Sequence, residues 1–204
     1  MRKPEIYKLI EKKEKEGILL VISAPSGAGK TTLCKMLVSE MEKAVFSVSL
    51  TSRKPRGAEK RGVDYEFVTE KEFKKRINEK TLLEWARVHG AYYGTSGEFV
   101  KRSLNKGKCV VLDIDVQGGM QVKRKIPEAV LIFILPPSME ELKRRLRKRR
   151  QNSEEELEKR LENAYSEVEA AHKYDYYVLN RELKDAIAEL KSIVKAQERK
   201  LKIP

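Results

Sequence analysis

Cysteines and long apolar runs are both scarce in this sequence. The two cysteines, Cys34 and Cys109, lie in apolar segments, which predicts buried thiols and gives no sign of a disulfide or metal framework. The longest apolar run, Ala129 to Pro137, falls far short of the roughly 20 residues that a membrane-spanning helix needs. The charged segment 1–16 lacks the apolar stretch of a signal peptide. We therefore expect a cytoplasmic protein with no membrane partner.

Positive charge is what the sequence has in excess. Its 204 residues carry 44 Lys and Arg against 31 Asp and Glu, a net charge of +13. Such a balance indicates polyanionic partners, either a nucleic-acid backbone or the phosphates of small nucleotides. No recognisable nucleic-acid-binding motif is present, so we expect no specific nucleic-acid partner. The sequence does not distinguish a monomer from a homo-oligomer.

Apolar runs alternate with segments of helical periodicity along most of the chain. This alternation predicts an α/β fold, a mainly parallel sheet with helices on both faces. The predicted strands are Ile18–Ser23, Cys109–Asp113, Val130–Leu135 and Tyr176–Leu179. The predicted helices are 1–16, Thr31–Met41, Glu98–Asn105, a basic helix capped by Ser138 with Glu141, one capped by Ser153 with Glu156, and Leu183–Leu201.

Residues 44–100 have a different pattern. Short alternating runs at Val45–Leu50, Asp64–Val68 and Leu82–Val88 are separated by turn-rich pieces. Thr69 with Glu72 predicts a capped helix over 70–78. We interpret this region as a small mixed α/β lobe inserted into the main domain.

A glycine-containing loop directly after the first predicted strand is the strongest motif. It has the P-loop pattern, with alanine where the first glycine is usual. The loop consists of Ala24, Pro25, Ser26, Gly27, Ala28, Gly29, Lys30 and Thr31, and Thr32 comes next. Glycines let backbone N–H groups turn toward phosphate oxygens, and the start of the next helix favours an anion. Lys30 can reach the terminal phosphates of ATP, and the Thr31 hydroxyl can bind Mg²⁺. The loop therefore predicts a site for ATP and Mg²⁺.

The inserted lobe suggests a second anion site and a base site. Arg53 and Arg56, with nearby tyrosines, can bind a compact dianion through paired hydrogen bonds. Glu84 is a candidate acceptor for the N–H groups of guanine, and it would repel the ring nitrogen that adenine presents at the same edge. Without its neighbours, it could equally be a surface glutamate beside a core tryptophan.

From about Leu19 to the C-terminal helix, the sequence resembles the guanylate kinase family. The resemblance rests on the P-loop, on Ser49–Phe67 (similar to SxTxRxPRxGExxGxDYxF), on Glu84–Trp85, on Tyr92–Gly94 and on Leu112–Gly118. Members of this family transfer a phosphoryl group from ATP to GMP. They consist of a P-loop core, an inserted GMP-binding lobe and a mobile lid.

The resemblance assigns roles to matching residues. The GMP phosphate would be held by Arg53, Arg56, Tyr65 and Tyr93, and the guanine would be read by Ser49, Glu84, Thr95 and Asp115. Asp113, at the end of a strand, would lie near Mg²⁺ and the phosphates. Arg145, Arg149 and Arg160 match arginines of the family's lid, although the turn after Arg149 departs from the family pattern. Asn180 lies where the family contacts adenine.

The resemblance also implies a division of the chain. The charged extension is 1–16, the core comprises 17–47, 99–136 and 164–204, the GMP-binding lobe is 48–98, and the lid is 137–163. Three other functions remain open from the sequence: a catalytically inactive protein-binding module, a nucleic-acid-binding protein, and a kinase of the same fold acting on AMP or dTMP.

Overall fold

The computed structural model describes residues 17–88, 90–148 and 154–200. Within these ranges there are nine strands and seven α-helices. The strands are β1 (Ile18–Ser23), β2 (Ala44–Phe46), β3 (Leu50–Thr51), β4 (Glu66–Phe67), β5 (Leu82–Val88), β6 (Ala91–Ser96), β7 (Cys109–Asp113), β8 (Val130–Leu135) and β9 (Tyr176–Leu179). The helices are α1 (Lys30–Glu40), α2 (Glu70–Asn78), α3 (Gly97–Asn105), α4 (Val116–Lys125), α5 (Met139–Lys148), α6 (Glu154–Glu169) and α7 (Leu183–Arg199). The helix predicted for 1–16 and the Ser153 cap lie outside the described residues.

Five strands form a parallel sheet in the order β2-β7-β1-β8-β9. Alternate residues of β1 point to opposite faces. Leu20 and Ile22 pack with α1 and α7, while Leu19 and Val21 pack with α3 and α4. Because both faces are covered, the central strands are continuously apolar, as in other parallel sheets. The predicted α/β fold class is confirmed.

The four predicted strands of this sheet begin and end where the sequence placed them. Cys34 and Cys109 are free and buried, as predicted. Helix α4 was not predicted from the sequence, because Gly118 and Gly119 near its start weaken the helical signal. None of the helices in the described ranges combines the length and the apolar character needed to span a bilayer.

A second sheet, in the order β4-β3-β6-β5, lies in the inserted region. Here β3 pairs in parallel with β4 and antiparallel with β6, so the strand directions of this sheet are mixed. Phe73 of α2 is fully buried against it. The run 45–50, read from the sequence as one segment, is divided between the sheets: Val45 pairs in the central sheet and Leu50 in the smaller one.

Strand β5 is fastened to helix α4 of the main domain. The Gln121 side chain makes two hydrogen bonds to the backbone of Trp85, accepting from its N–H at 3.3 Å and donating to its carbonyl at 2.8 Å. The Lys125 ammonium donates to the Leu83 carbonyl at 2.6 Å. The smaller sheet is therefore joined to the main domain by polar contacts along one strand as well as by the chain itself.

Two of the predicted capping boxes, at Thr69 and Ser138, lie in the described residues, and the hydroxyl half of each is present. The Thr69 and Ser138 hydroxyls accept from the backbone N–H groups of Glu72 and Glu141, as predicted. The two carboxylates are engaged elsewhere: Glu72 pairs with Arg76, and Glu141 pairs with arginines of its own helix. Arginines one turn further along the helix therefore draw these carboxylates away from the cap.

Replacing Thr69 by alanine should lower the free energy of unfolding by about 1 kcal/mol, because an N–H at the start of α2 loses its partner. Thr69 is exposed, so no cavity forms. Chemical denaturation of the wild type, Thr69→Ala and Thr69→Ser would measure the effect. Serine keeps the cap and should stay near the wild type; equal losses in both variants would contradict the capping role.

Candidate active site

The P-loop lies at the carboxyl end of β1, the central strand of the parallel sheet. Gly29 is the N-cap of α1 and has a φ of 92°, in the left-handed region where a side chain would be strained. This conformation turns the chain sharply from the strand into the helix. The start of α1 therefore faces the open edge of the sheet, where it favours an anion.

Lys30, Thr31 and Asp113 form a bonded group at this edge. The Lys30 ammonium lies 2.8 Å from one carboxylate oxygen of Asp113 and donates to the Ile114 carbonyl at 2.9 Å. The Thr31 hydroxyl donates to the other Asp113 oxygen at 2.6 Å. Burial lowers the pKa of Lys30, but the Asp113 charge and hydrogen bond outweigh it, so the net pKa is raised and Lys30 stays a cation.

Asn180, at the end of β9, holds the P-loop backbone in place. Its amide nitrogen donates to the Ala28 carbonyl at 2.7 Å, and its side chain is buried. A Cβ atom on Gly29 would lie only 2.5 Å from that nitrogen. The predicted adenine contact stays a prediction, but the described contact of this side chain is with the loop itself.

The region predicted to be the lid packs against the P-loop from one side. Leu142 and Leu146 of α5 come within 3.0–3.3 Å of where a Cβ on Gly27 would lie. Arg145 donates to Glu141 at 2.8 Å and to the Asn180 carbonyl at 3.4 Å, which places it beside the loop but in contact with protein groups.

The other lid arginines are less closely placed. Arg160 lies on α6 with intermediate exposure, and Arg149 falls outside the described residues. From the same helix as Arg160, the Glu167 carboxyl lies beside the P-loop, where the Ser26 backbone N–H favours its charged form. Burial raises the pKa of Glu167, and the Lys30 charge opposes that shift.

A cluster in the smaller sheet corresponds to the predicted acceptor-phosphate site. The Arg53 guanidinium donates to the Tyr93 hydroxyl at 3.0 Å and lies 4.8 Å from the centre of the Tyr65 ring. Two further Arg53 hydrogen bonds, at 2.6 and 2.7 Å, go to the Glu59 carboxylate. Arg56 is exposed three residues further on. The structure thus brings Arg53 and both tyrosines together and leaves the Arg56 side chain at the surface.

Glu84 and Thr95 form a buried polar pair on neighbouring strands. Glu84 is 3% exposed, and one of its oxygens accepts from the Thr95 hydroxyl at 2.6 Å. Burial raises the pKa of the Glu84 carboxyl to about 7; the Thr95 hydrogen bond opposes the shift, and the Asp115 charge adds to it. The surface-glutamate interpretation is reversed here, because the carboxylate is inside and Trp85 is 37% exposed.

Asp115 and Ser49 complete the predicted base site. Asp115 is the N-cap of α4, and its carboxylate accepts from the Gly118 N–H at 2.8 Å. A Cβ on Gly118 would lie 2.8 Å from Glu84 Oε2, so only glycine allows the helix to approach this carboxylate so closely. Ser49 lies just before β3, where its carbonyl accepts from the Glu66 N–H.

One cleft of about 580 Å³ joins the two sites. Both sheets contribute predicted residues to its walls: Ala24, Pro25, Ser26, Gly27, Gly29, Lys30, Thr31, Thr32, Ser49, Tyr65, Glu84, Tyr93, Asp113 and Asp115. Across it, the Lys35 ammonium of α1 lies 3.4 Å from the Asp64 carboxylate of the smaller sheet's loop. A phosphate on the P-loop and a phosphate near Tyr65 and Tyr93 would therefore share one cleft.

Sequence reasoning gave no role to Glu59, Glu167 or Lys35, which also line this cleft. Glu59 occupies the glutamate position of the motif Ser49–Phe67, which was a usable signal. Nothing local to Glu167 or Lys35 distinguishes them from the other charged residues of their helices.

A parallel sheet covered on both faces, with a P-loop on its central strand and a second anion site across the same cleft, defines a P-loop kinase. A protein-family model described as guanylate kinase matches residues 16–197. The guanylate kinase of Caldanaerobacter subterraneus subsp. tengcongensis is 49% identical over 185 residues, 91% of this chain and 90% of that protein. The guanylate kinase of Myxococcus xanthus is 49% identical over 182 residues, 89% and 87% of the two chains.

A solved structure supports the same relationship. The crystal structure of guanylate kinase from Anaplasma phagocytophilum matches with a TM-score of 0.76 and 33% identity, covering 91% of this chain and 88% of that chain. This chain belongs to the guanylate kinase family.

Replacing Asn180 by alanine should lower the free energy of unfolding by about 1–3 kcal/mol, because the buried Ala28 carbonyl loses its donor. KM for ATP should also rise as the loop loosens. Urea denaturation without nucleotide is the decisive measurement. Unchanged stability with a raised KM for ATP would instead assign Asn180 to the bound nucleotide alone.

Proposed function

We propose that this chain, as a member of the guanylate kinase family, transfers the terminal phosphoryl group of ATP to GMP through the residues of the shared cleft. The products are ADP and GDP. The observation that carries the proposal is that a P-loop with its lysine and the two tyrosines that contact Arg53 open into one cleft beside a buried carboxylate.

The P-loop is the ATP site. Its backbone N–H groups and the start of α1 bind phosphate oxygens, and Lys30 neutralises charge on the terminal phosphates. The lysine is already held between Asp113 and the Ile114 carbonyl, so little rearrangement is needed when ATP binds. Arg145, Arg149 and Arg160 are proposed to add positive charge from the lid, which requires Arg145 to exchange Glu141 for phosphate.

Thr31 and Asp113 fit the chemistry of a Mg²⁺ site. Both present oxygen ligands, and their 2.6 Å hydrogen bond shows that they already lie together. No cluster of three His, Cys, Asp or Glu side chains suited to a metal occurs in the described ranges. Proteins usually bind Mg²⁺ through one or two oxygen ligands together with substrate phosphates and water. When bound, Mg²⁺ would neutralise charge on the phosphates of ATP.

The smaller sheet is the GMP site. Tyr65, Tyr93, Arg53 and Arg56 supply donors for the GMP phosphate. Glu84, ionised, accepts from the N1–H and N2–H₂ groups of guanine, with Ser49, Thr95 and Asp115 around it. Adenine presents an acceptor at the matching position and would be repelled by the carboxylate. We extend the proposal to dGMP, and to a cytoplasmic location, on the sequence alone.

No protein nucleophile is required for this reaction. An oxygen of the GMP phosphate attacks the terminal phosphorus of ATP, the new O–P bond forms, and the bond to the bridging oxygen of ADP breaks. The chain aligns the two phosphates, offsets their charge and excludes water, which would otherwise accept the phosphoryl group.

A panel of GMP, dGMP, AMP, CMP, UMP and dTMP with ATP and Mg²⁺ tests the proposal. GMP should be strongly preferred. Replacing Lys30 by alanine should lower turnover at least about 10²–10³-fold, because one preorganised cation is lost from the transferring group. Turnover by a coupled assay and folding by circular dichroism check this. A folded Lys30→Ala variant with wild-type turnover would contradict the mechanism.

GMP binding should strengthen with rising pH. In the protein without GMP, the pKa of Glu84 is about 7. Below pH 7, the carboxyl must therefore lose a proton before it can accept hydrogen bonds from guanine. KM for GMP should therefore fall by up to about tenfold per pH unit below pH 7 and level off above it. The GMP phosphate also loses a proton near pH 6, and this titration contributes equally to the profiles of the wild type and of any variant.

The Glu84→Gln variant isolates the contribution of this carboxyl. It should show only the phosphate titration and should discriminate less well between GMP and AMP, because an amide can both donate and accept. Profiles of KM against pH that run parallel in the wild type and the variant would exclude titration of Glu84, and an unchanged GMP/AMP ratio would reject its reading role.

A further inference from the structure

The Arg53 guanidinium is almost fully occupied by protein groups. Its Nε donates to Tyr93, one Nη1 hydrogen to the Lys54 carbonyl, and one hydrogen of each Nη to Glu59. A guanidinium has five N–H donors, so a single Nη2 hydrogen is left without a partner among these contacts. Arg53 is also absent from the cleft wall, whereas Glu59, Tyr65 and Tyr93 are part of it.

Arg53 therefore acts on the cleft largely through the two tyrosines. The Tyr93 oxygen accepts from Arg53 Nε, so its own hydroxyl proton is available for another acceptor. The guanidinium faces the Tyr65 ring at 4.8 Å, and the Tyr65 and Tyr93 rings meet edge to face at 5.9 Å. Fixing the guanidinium thus fixes the direction of both phenols.

Glu59 is the group that fixes it. Its carboxylate binds Arg53 through both oxygens, at 2.6 and 2.7 Å, and one of these oxygens also accepts from the Arg56 backbone N–H at 2.8 Å. The Arg56 carbonyl in turn accepts from the Glu59 N–H at 3.1 Å. A single side chain therefore ties the guanidinium of one predicted phosphate ligand to the backbone of the other.

We propose that Glu59 is a positioning residue of the acceptor-phosphate site, and this inference rests on the proposed function. It stays bonded to Arg53 when GMP binds and keeps the Arg53 plane, the Tyr65 and Tyr93 hydroxyls and the Arg56 backbone ready for a phosphate dianion. Its contribution is to GMP affinity through the phosphate, not to recognition of the base.

A rival role has the opposite sign. Glu59 could occupy the phosphate's place on Arg53 and be displaced by GMP, in which case removing its charge would strengthen binding. The contacts favour positioning, because displacement would break the bidentate pair and the Arg56 bond together. The hydrogen bonds from Arg53, with that of the Arg56 N–H, also hold the pKa of Glu59 at about 2, so the carboxylate is firmly committed as an anion.

The test is Glu59→Gln, which keeps the size and removes the charge. KM for GMP should rise about 10- to 100-fold, the equivalent of one hydrogen bond to a charged group. At saturating GMP, kcat should stay within about threefold, and KM for ATP should not change, because the P-loop is untouched. Guanosine, which lacks the phosphate, should inhibit the wild type and the variant with the same inhibition constant.

Glu66→Gln is the matched control. Glu66, on the smaller sheet, pairs with Arg61 at the surface. Its substitution should leave KM for GMP, kcat, KM for ATP and the inhibition constant of guanosine unchanged. A lower KM for GMP in Glu59→Gln would establish the rival role, and an unchanged KM would remove Glu59 from the site. Equal weakening of GMP and guanosine would mean that the substitution merely disrupts the lobe. Wild-type protein that does not phosphorylate GMP would refute the proposed function itself, which separates the two failures.

Discussion

The parallel pairing of β1 with β7 is the constraint on which the active site depends. Its register sets Ile22 opposite Asp113, so the P-loop leaves one strand where the carboxylate ends the other. Parallel strands deliver their carboxyl ends to the same edge, and α1 and α4, the helices that follow β1 and β7, pack on opposite faces of the sheet, which opens a crevice there. The bonds among Lys30, Thr31 and Asp113 follow directly from that register. A shift of one residue would turn Asp113 to the opposite face of the sheet.

A cleft that accepts polyanions also contains several carboxylates, and each is controlled by a different partner. Asp113 is neutralised by Lys30, Asp115 caps a helix, and Glu59 is paired with Arg53. Glu84 instead bonds to the neutral Thr95 hydroxyl, and burial raises its pKa to about 7. Asp113 and Glu59, near the two phosphate sites, are thus paired with cations, while Glu84, placed for the base, can carry or lose a proton.

Much of the fold was predictable because its signals are local. The apolar run of β1, the P-loop pattern and the caps at Thr69 and Ser138 need only a few neighbouring residues. Contacts between distant segments could not be predicted in the same way. The bond from Asn180 to Ala28 joins residues 152 positions apart and depends on where β9 ends in the sheet.

Helix α4 could not be predicted locally for a related reason. Gly118 lowers helix propensity in isolation, but in the folded protein it allows the helix to approach the Glu84 carboxylate. The sequence therefore points to the candidate substrate-binding residues more readily than to the residues that position those side chains. Glu59 shows the difference: its position was part of a recognised motif, yet its partners became evident only from the folded loop.

Because α4 is bonded to β5, the two ends of a bound acceptor would lie on segments that are attached to the main domain in different ways. Gln121 and Lys125 fasten β5, which carries Glu84, to the main domain, whereas Arg53 and Arg56 lie in a turn-rich loop beyond β3. A base bound at Glu84 would thus lie against the anchored strand, and a phosphate bound near Tyr65 and Tyr93 would lie against the loop, which meets α1 through the Lys35–Asp64 ion pair. Selection of the base and alignment of the phosphate therefore depend on segments that different contacts hold in place.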